Sequence, residues 1–206
     1  MILIYDIAHL MFAVLYRLLL SFRVIGSENV PKTGPVILAS NHASYLDPTL
    51  VGTGIWRRVR FVAKEELFDR AWKRFILFHG WKAIPIRREK LDKAVLKNIM
   101  DVLKSGDVVG LFPEGTRGMG DKLLPGKAGI GMIVSMAGVP VVPVYIKGSD
   151  KTLSKTHEKL NLVPITIAYG KPIEFTRVPG EAGHERYQRV SDTVMAEIEK
   201  LKLMVG

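Results

Sequence analysis

The chain of 206 residues contains no cysteine. This absence excludes disulfide bonds, zinc–thiolate sites, iron–sulfur clusters and catalysis by a thiol nucleophile. The five histidines are scattered along the chain, and no spacing typical of metal ligands, such as His-Glu-x-x-His, occurs. The sequence therefore predicts no metal site.

Several catalytic fingerprints are also missing. There is no Gly-x-Ser-x-Gly turn, so a serine acyl-enzyme of the hydrolase type is not expected. Gly126 and Lys127 lack the earlier glycine of a phosphate-binding P-loop, and Gly129 with Gly131 lacks the third glycine of a dinucleotide-binding turn. These absences argue against most common hydrolases, kinases and dehydrogenases.

The composition is that of a folded protein. Hydrophobic residues make up 48% of the chain and charged residues 24%, and the mean hydropathy is +0.15. These values exclude a disordered chain, and the length favours one domain with a sizeable core. No repeat or Pro/Gly/Ser-rich linker divides the sequence. We therefore expect one domain over residues 23–206, preceded by a distinct apolar segment over residues 1–22.

The apolar segment at 1–22 is predicted to form an amphipathic helix. Asp6, His9 and Arg17 interrupt it, which argues against the uninterrupted stretch of about 20 apolar residues that a membrane span needs. On a helical wheel these three side chains and Ser21 occupy about one third of the circumference. Such a helix either docks on the core of its own protein or lies in a membrane interface.

Positive charge is concentrated in one part of the chain. The formal net charge is +10, and residues 57–90 contain eleven basic residues against four acidic ones, interleaved with aromatic side chains. A basic, aromatic-rich surface suits nucleic acid, anionic lipid headgroups or phosphorylated substrates. An ordinary solvated surface over core aromatics is the alternative interpretation.

Short apolar strands alternate with helices along the rest of the chain. We expect helices at residues 47–56, 65–79, 91–104, 126–137 and 185–204, and strands at residues 21–26, 36–39, 58–63, 83–87, 108–112, 141–146 and 165–169. This alternation predicts an α/β domain with a largely parallel central sheet flanked by helices.

His42 and Asp47 stand where the apolar strand at 36–39 ends and the next helix begins. Reacting groups gather at strand ends in α/β sheets. Asp47 could accept a hydrogen bond from one imidazole nitrogen of His42 and leave the other nitrogen to take a proton. Alternatively, Asp47 only caps the helix and His42 is a satisfied polar residue.

Two short motifs together indicate a known family. Asn41, His42 and Asp47, followed by Phe-Pro-Glu-Gly-Thr-Arg at residues 112–117, closely resemble the glycerolipid acyltransferase family. Residues 83–88 and 139–144 look like the second and fourth blocks of that family. The four blocks occur in family order and cover about half of the chain.

This resemblance implies direct transfer of a fatty acyl group from acyl-CoA or acyl carrier protein to a glycerol hydroxyl, with no cofactor or metal. It implies that His42 deprotonates the hydroxyl while Asp47 steadies the imidazole. By the same analogy, the glycerol phosphate is bound by Lys64, Arg87, Arg88, Glu114, Gly115, Thr116 and Arg117.

The expected reaction is acylation of lysophosphatidic acid to phosphatidic acid, a step of phospholipid biosynthesis. The expected partners are lysophosphatidic acid, the acyl thioester and an anionic membrane surface, with no nucleic acid. The predicted location is monotopic, on the cytoplasmic face of the cell membrane. Two alternatives stay open: another lysolipid acceptor, and a non-catalytic nucleic-acid-binding protein, for which no binding motif is present.

Overall fold

A computed structural model describes residues 2–64, 83–86, 92–154 and 159–206 of the chain. The helices are α1 (Ile2–Leu20), α2 (Asp47–Thr53), α3 (Lys93–Lys104), α4 (Ala128–Ala137), α5 (Ser149–Thr152) and α6 (Gly183–Val205). The strands are β1 (Arg23–Ile25), β2 (Val36–Ser40), β3 (Val59–Lys64), β4 (Ile84–Ile86), β5 (Val108–Leu111), β6 (Val141–Lys147) and β7 (Thr166–Tyr169). The helix predicted at 65–79 lies outside the described residues.

The strands form one sheet in the order β1-β7-β6-β2-β5-β3-β4. Of the neighbouring pairs, only β6 with β7 is antiparallel, which confirms the prediction of a largely parallel sheet. The exception occurs where the alternation of strands and long helices stops, because the described residues between β6 and β7 contain only the four-residue helix α5. Parallel neighbours usually need a longer helical crossover.

Both faces of the sheet are covered, so its central strands are apolar throughout. In β2, Ile37 and Ala39 face the core formed with α3, α4 and α6, whereas Val36 and Leu38 face the core formed with α1 and α2. This alternation follows from the two-residue period of a strand. A continuous apolar run such as residues 36–39 is therefore what a doubly covered parallel strand requires.

Local chemistry sets the ends of several helices. The side chain of Asp92 accepts a hydrogen bond from the N–H of Val95 at 2.8 Å and begins α3. Gly138 has a φ of +60°, a conformation that glycine adopts readily, and it ends α4. The expectation that Asp47 caps α2 is wrong, because Leu46 is the capping residue and the Asp47 side chain contacts the preceding turn.

The pairing of β2 with β5 brings the two sequence motifs together. The register places Ala39 opposite Leu111. His42 and Glu114 each follow three residues later, just beyond the ends of these two adjacent parallel strands. The two motifs, 72 residues apart in the chain, therefore meet at the carboxyl edge of the sheet.

Helix α1 docks on the domain through aromatic and polar side chains. The Tyr16 hydroxyl lies 2.5 Å from Thr49 Oγ1 in α2, and Leu20 is buried beneath it. His9 is 5% exposed and stacks on Trp56, with ring centroids 4.9 Å apart. His9 is therefore packed against protein, whereas Asp6 and Arg17, which share its part of the helical wheel, are exposed.

The opposite side of α1 is apolar and exposed. Seven of its side chains are between 41% and 77% exposed: Ile7, Leu10, Met11, Val14, Leu15, Leu18 and Leu19. The helix therefore both docks on its own domain and presents an outer apolar face, where the sequence had suggested one or the other. Within the described ranges, no helix has the length and apolar character to cross a membrane.

Candidate active site

In the turn between β2 and α2, several groups form hydrogen bonds to one carboxylate, that of Asp47. His42 Nδ1 lies 2.8 Å from Asp47 Oδ2, so the predicted hydrogen bond is present. The same oxygen accepts the backbone N–H groups of Ala43 and Ser44, each at 2.7 Å. Asp47 is fully buried. Charge-assisted hydrogen bonds of this kind offset the cost of burying the carboxylate and fix its position.

The imidazole of His42 is held in its plane by a neighbouring ring. Phe112 stacks on it with ring centroids 3.9 Å apart and an angle of 17° between the planes, and Phe61 lies behind Phe112. Because Nδ1 donates to the Asp47 carboxylate, Nε2 carries the lone pair of the neutral ring. The His42 side chain keeps 18% of its surface exposed. It has the arrangement of a general base.

The side chain of Glu114 connects the two motifs by accepting hydrogen bonds from backbone N–H groups. Its Oε1 accepts the N–H of His42 at 2.9 Å, and its Oε2 accepts the N–H of Leu124 at 3.0 Å. The residue is only 2% exposed, and burial raises the pKa of its carboxyl while the two hydrogen bonds oppose that rise. Both carboxylate oxygens thus have partners within the protein, and contact of Glu114 with the acceptor stays a prediction.

The glycine-rich loop that follows β5 returns to His42. Gly115 has a φ of +64° and donates its N–H to the Phe112 carbonyl, which forms the first tight turn. Further along, the N–H of Gly118 donates to the His42 carbonyl at 2.8 Å. Thr116 is exposed, and the guanidinium carbon of Arg117 lies 3.5 Å from the ring centroid of Tyr45. The loop therefore presents its polar side chains beside the His42 turn.

Asn41 has a role that the sequence did not predict. Its side-chain amide donates to the carbonyl of Ile146 at 3.0 Å and accepts the N–H of the same residue at 2.7 Å. These bonds continue the β2–β6 pairing beyond the end of β2 and hold the adjacent His42 in place. The sequence does contain a signal for this role. An asparagine side chain directly after a buried strand can make the same two hydrogen bonds that a backbone peptide group makes in a sheet.

A small pocket lies between the His42 turn and the glycine-rich loop. It contains about 260 Å³ of space, part of it open to solvent, and Glu114, Lys122 and Asp150 line it together with the turn. Tyr145 donates its hydroxyl to Asp121 at 2.6 Å in the same region. Across the described part of the chain, no cluster of three or more acidic or histidine side chains suits a metal ion.

The remaining predicted residues are placed only in part. Lys64 is the last residue of β3, which pairs with β5, and the structure describes only its backbone. Arg87 and Arg88 lie outside the described residues. The fourth family block, residues 139–144, runs into β6, and Ile146, two residues beyond the block, supplies the backbone groups that Asn41 binds.

A histidine paired with a buried aspartate, at the carboxyl edge of the sheet and beside a glycine-rich loop, gives this site a general base, which group-transfer chemistry can use. The family model described as Acyltransferase matches residues 21–147, which include the whole turn and loop. The chain belongs to this acyltransferase family.

Two named relatives show which acyltransferases this chain is similar to. The chain is 30% identical over 186 residues to the 1-acyl-sn-glycerol-3-phosphate acyltransferase of Bacillus subtilis (strain 168), covering 87% of each chain. It is 34% identical over 158 residues to the chloroplastic 1-acyl-sn-glycerol-3-phosphate acyltransferase BAT2 of Brassica napus, covering 72% of this chain and 44% of that one.

A solved structure agrees with the fold. The crystal structure of the 1-acyl-sn-glycerophosphate (LPA) acyltransferase PlsC from Thermotoga maritima matches with a TM-score of 0.70 and 29% sequence identity. The match covers 88% of this chain and 72% of that one.

Proposed function

We propose that this protein transfers a fatty acyl group from an acyl thioester to the sn-2 hydroxyl of 1-acylglycerol 3-phosphate, forming phosphatidic acid. The named relatives support this acceptor. The observation that carries the chemistry is the hydrogen bond of 2.8 Å between His42 and the buried Asp47, at the edge where the two motifs meet.

His42 acts as the general base. Its Nε2 takes the proton of the acceptor hydroxyl as the hydroxyl oxygen attacks the thioester carbonyl carbon. Asp47 stabilises the imidazolium that forms and keeps Nδ1 protonated throughout. When the carbon–sulfur bond breaks, the imidazolium returns the proton to the departing thiolate. An oxygen ester and a free thiol result, and His42 is regenerated.

The acceptor phosphate is assigned to the loop beside His42. The planar guanidinium of Arg117 can donate two parallel hydrogen bonds to phosphate oxygens, and Lys64 supplies a compact positive charge. Glu114 contributes indirectly, because it holds the His42 turn and Leu124 at a fixed separation.

An acceptor panel tests this assignment. Purified protein is incubated with 1-acylglycerol 3-phosphate or 1-acylglycerophosphocholine, each with acyl-CoA and with acyl carrier protein as donor. We expect the highest kcat/KM with 1-acylglycerol 3-phosphate, and a raised acceptor KM in Arg117→Ala. Acylation of the choline lipid alone would overturn the proposed acceptor and favour another lysolipid.

We also propose that the outer face of α1 lies in a membrane interface on the cytoplasmic side, where acyl thioesters are made. A helix on the surface of a water-exposed domain normally has a polar outer side, whereas the outer side of α1 is largely apolar. Trp56, which is 83% exposed and stacks on His9, adds a side chain that favours the membrane interface. The acceptor and the product are themselves bilayer lipids.

Two arginines of the basic segment at 57–90 have partners within the protein. Arg57 donates to the carbonyls of Pro31, Gly34 and Gly106 at 2.6–2.8 Å, so this guanidinium is used within the domain. Arg58 lies 3.4 Å from the carboxylate of Asp6. Among the described residues, the exposed apolar side chains of α1 therefore carry the proposal.

Vesicle sedimentation tests the membrane proposal. Leu10→Ser with Leu18→Ser removes two exposed side chains from α1, and Leu203→Ser with Met204→Ser is the matched control on α6. With anionic phospholipid vesicles, we expect the α1 pair to sediment much less than wild type and the control pair to sediment normally. Equal sedimentation of both variants and wild type would contradict the proposal.

A further inference from the structure

An exposed tyrosine of the His42 turn supports the arginine of the glycine-rich loop. Tyr45 is 54% exposed, and the guanidinium carbon of Arg117 lies 3.5 Å from its ring centroid. We infer that Tyr45 is a positioning residue, which fixes the orientation of the Arg117 guanidinium for the acceptor phosphate. This inference rests on the phosphate-binding role of Arg117 in the proposed function.

The backbone that carries the Tyr45 ring is held by hydrogen bonds, even though the ring itself is exposed. The N–H of Tyr45 donates to the carbonyl of Leu153 at 3.1 Å. The preceding residue, Ser44, donates its N–H to the Asp47 carboxylate at 2.7 Å and its hydroxyl to the same Leu153 carbonyl at 2.5 Å. The backbone that carries the ring is therefore held by the same carboxylate that orients His42.

Stacking and phosphate binding use different parts of a guanidinium. The aromatic ring contacts the flat face, while the N–H groups that would bind phosphate point outward in the plane of the guanidinium. A free arginine side chain has several rotatable bonds, so holding one face limits the orientations that binding must otherwise select. The ring therefore preorganises the N–H groups without competing for them.

The pair also links the phosphate site to the base. The neighbour of Arg117, Gly118, donates its N–H to the His42 carbonyl at 2.8 Å, and Tyr45 follows His42 by three residues. The stacked pair therefore connects the turn and the loop near their backbone hydrogen bond. Loss of the ring is expected to loosen Arg117 while leaving the contact between His42 and Asp47 intact.

A double-mutant cycle on the full chain tests the inference. Acceptor KM, donor KM and kcat are measured with 1-acylglycerol 3-phosphate in mixed micelles for wild type, Tyr45→Ala, Arg117→Ala and the double variant. Tyr45→Phe keeps the aromatic face and removes the hydroxyl, whereas Tyr45→Leu keeps apolar bulk without the face. Met119→Ala, at an exposed position of the same loop, is the control for surface truncation.

We expect Tyr45→Ala and Tyr45→Leu to raise the acceptor KM about two- to fivefold, the range for a partly exposed cation–π contact. The donor KM and kcat should change little, and Tyr45→Phe and Met119→Ala should resemble wild type. In the Arg117→Ala background, Tyr45→Ala should add no further effect.

Equal effects of Tyr45→Ala with and without Arg117 would overturn the inference, as would a Tyr45→Phe variant as impaired as Tyr45→Ala. If Arg117→Ala raises the acceptor KM and Tyr45→Ala does not, the stacking role fails and the proposed function stands. If Arg117→Ala itself leaves the acceptor KM unchanged, the phosphate assignment in the proposed function fails together with the inference.

Discussion

Two regions of this molecule reverse the usual distribution of polar and apolar groups, in opposite directions. At the carboxyl edge of the sheet, the carboxylates of Asp47 and Glu114 are 0% and 2% exposed. On the outer face of α1, leucine and methionine side chains have exposed fractions that are unusually large for apolar residues. Isolated apolar residues are common on surfaces, but buried acids and wide apolar faces are not.

The difference lies in what each region stabilises. The buried carboxylates accept backbone N–H groups from Ala43, Ser44, His42 and Leu124, so their burial fixes atomic positions around one imidazole. The face of α1 fixes nothing inside the domain, since its inner side makes the docking contacts. One region fixes the geometry around the His42 imidazole, and the other is the surface for which we propose membrane contact.

The largest expected effect is in the first region, at Asp47. Asp47→Asn removes the charge that stabilises the imidazolium and permits the wrong tautomer of His42. We expect kcat to fall by about 10²- to 10⁴-fold with little change in acceptor KM. Steady-state kinetics measure this, with Asp92→Asn at the start of α3 as the matched control. A kcat within twofold of wild type would contradict the assigned role.

Next in size is the loss of Asn41. Asn41→Ala leaves the buried N–H and carbonyl of Ile146 without their partners, and we expect the free energy of unfolding to fall by about 2 kcal/mol. Urea unfolding measures the change. Asn161→Ala removes an exposed amide that donates to the Lys151 carbonyl, and it should cost much less. Equal losses would show that Asn41 is not a structural link.

A smaller change in the free energy of unfolding is expected from substitutions on α1, and it should differ between the inner and outer sides of the helix. Tyr16→Phe removes the hydroxyl contact to Thr49, and we expect a loss of about 1 kcal/mol in the free energy of unfolding. Leu18→Ser, on the outer face, should change it by less than about 0.5 kcal/mol in the absence of membranes. Thermal and urea unfolding of both variants test this. A larger loss from Leu18→Ser would mean that the outer face packs against protein.

The smallest expected effect is the contribution of Glu114 to the pH dependence of folding stability. Because burial raises the pKa of this carboxyl in the fold, the fold binds its proton more tightly than the unfolded chain does. Its contribution to stability is therefore full below the ordinary glutamate pKa of about 4.3 and is lost as the pH rises through the folded pKa.

Glu114→Gln should remove that contribution. We expect the stability of wild type relative to Glu114→Gln to improve as the pH is lowered from about 7 to about 4. Unfolding experiments at several pH values measure the difference. Glu174→Gln, at an exposed glutamate, is the control substitution. A relative stability that worsens in acid would contradict the raised pKa.

Much of the fold could be predicted from the sequence because its signals are local. Apolar runs between turn residues located the strands to within two residues, and their alternation with helices predicted parallel pairing. The strand order could not be predicted in this way, because it depends on packing between distant segments. The antiparallel pairing of β6 with β7 could not be predicted for the same reason.

The same limit applies to the site. The spacing of His42 and Asp47 suggested their hydrogen bond, which local chain folding alone can form. The contact between Glu114 and the His42 backbone depends on the β2–β5 register, which no single segment encodes. For α1, hydropathy identified two sides, but it could not show that the His9 side would dock inward.

The central claim is that His42, held by Asp47, is the base that activates the acceptor hydroxyl. The most direct measurement is formation of phosphatidic acid from 1-acylglycerol 3-phosphate and an acyl thioester by wild type, His42→Ala and His184→Ala. His184 is an exposed histidine on α6 and serves as the matched control. We predict a loss of at least about 10²-fold in His42→Ala, with normal melting, and normal rates in His184→Ala. Wild-type rates in a folded His42→Ala protein would contradict the account.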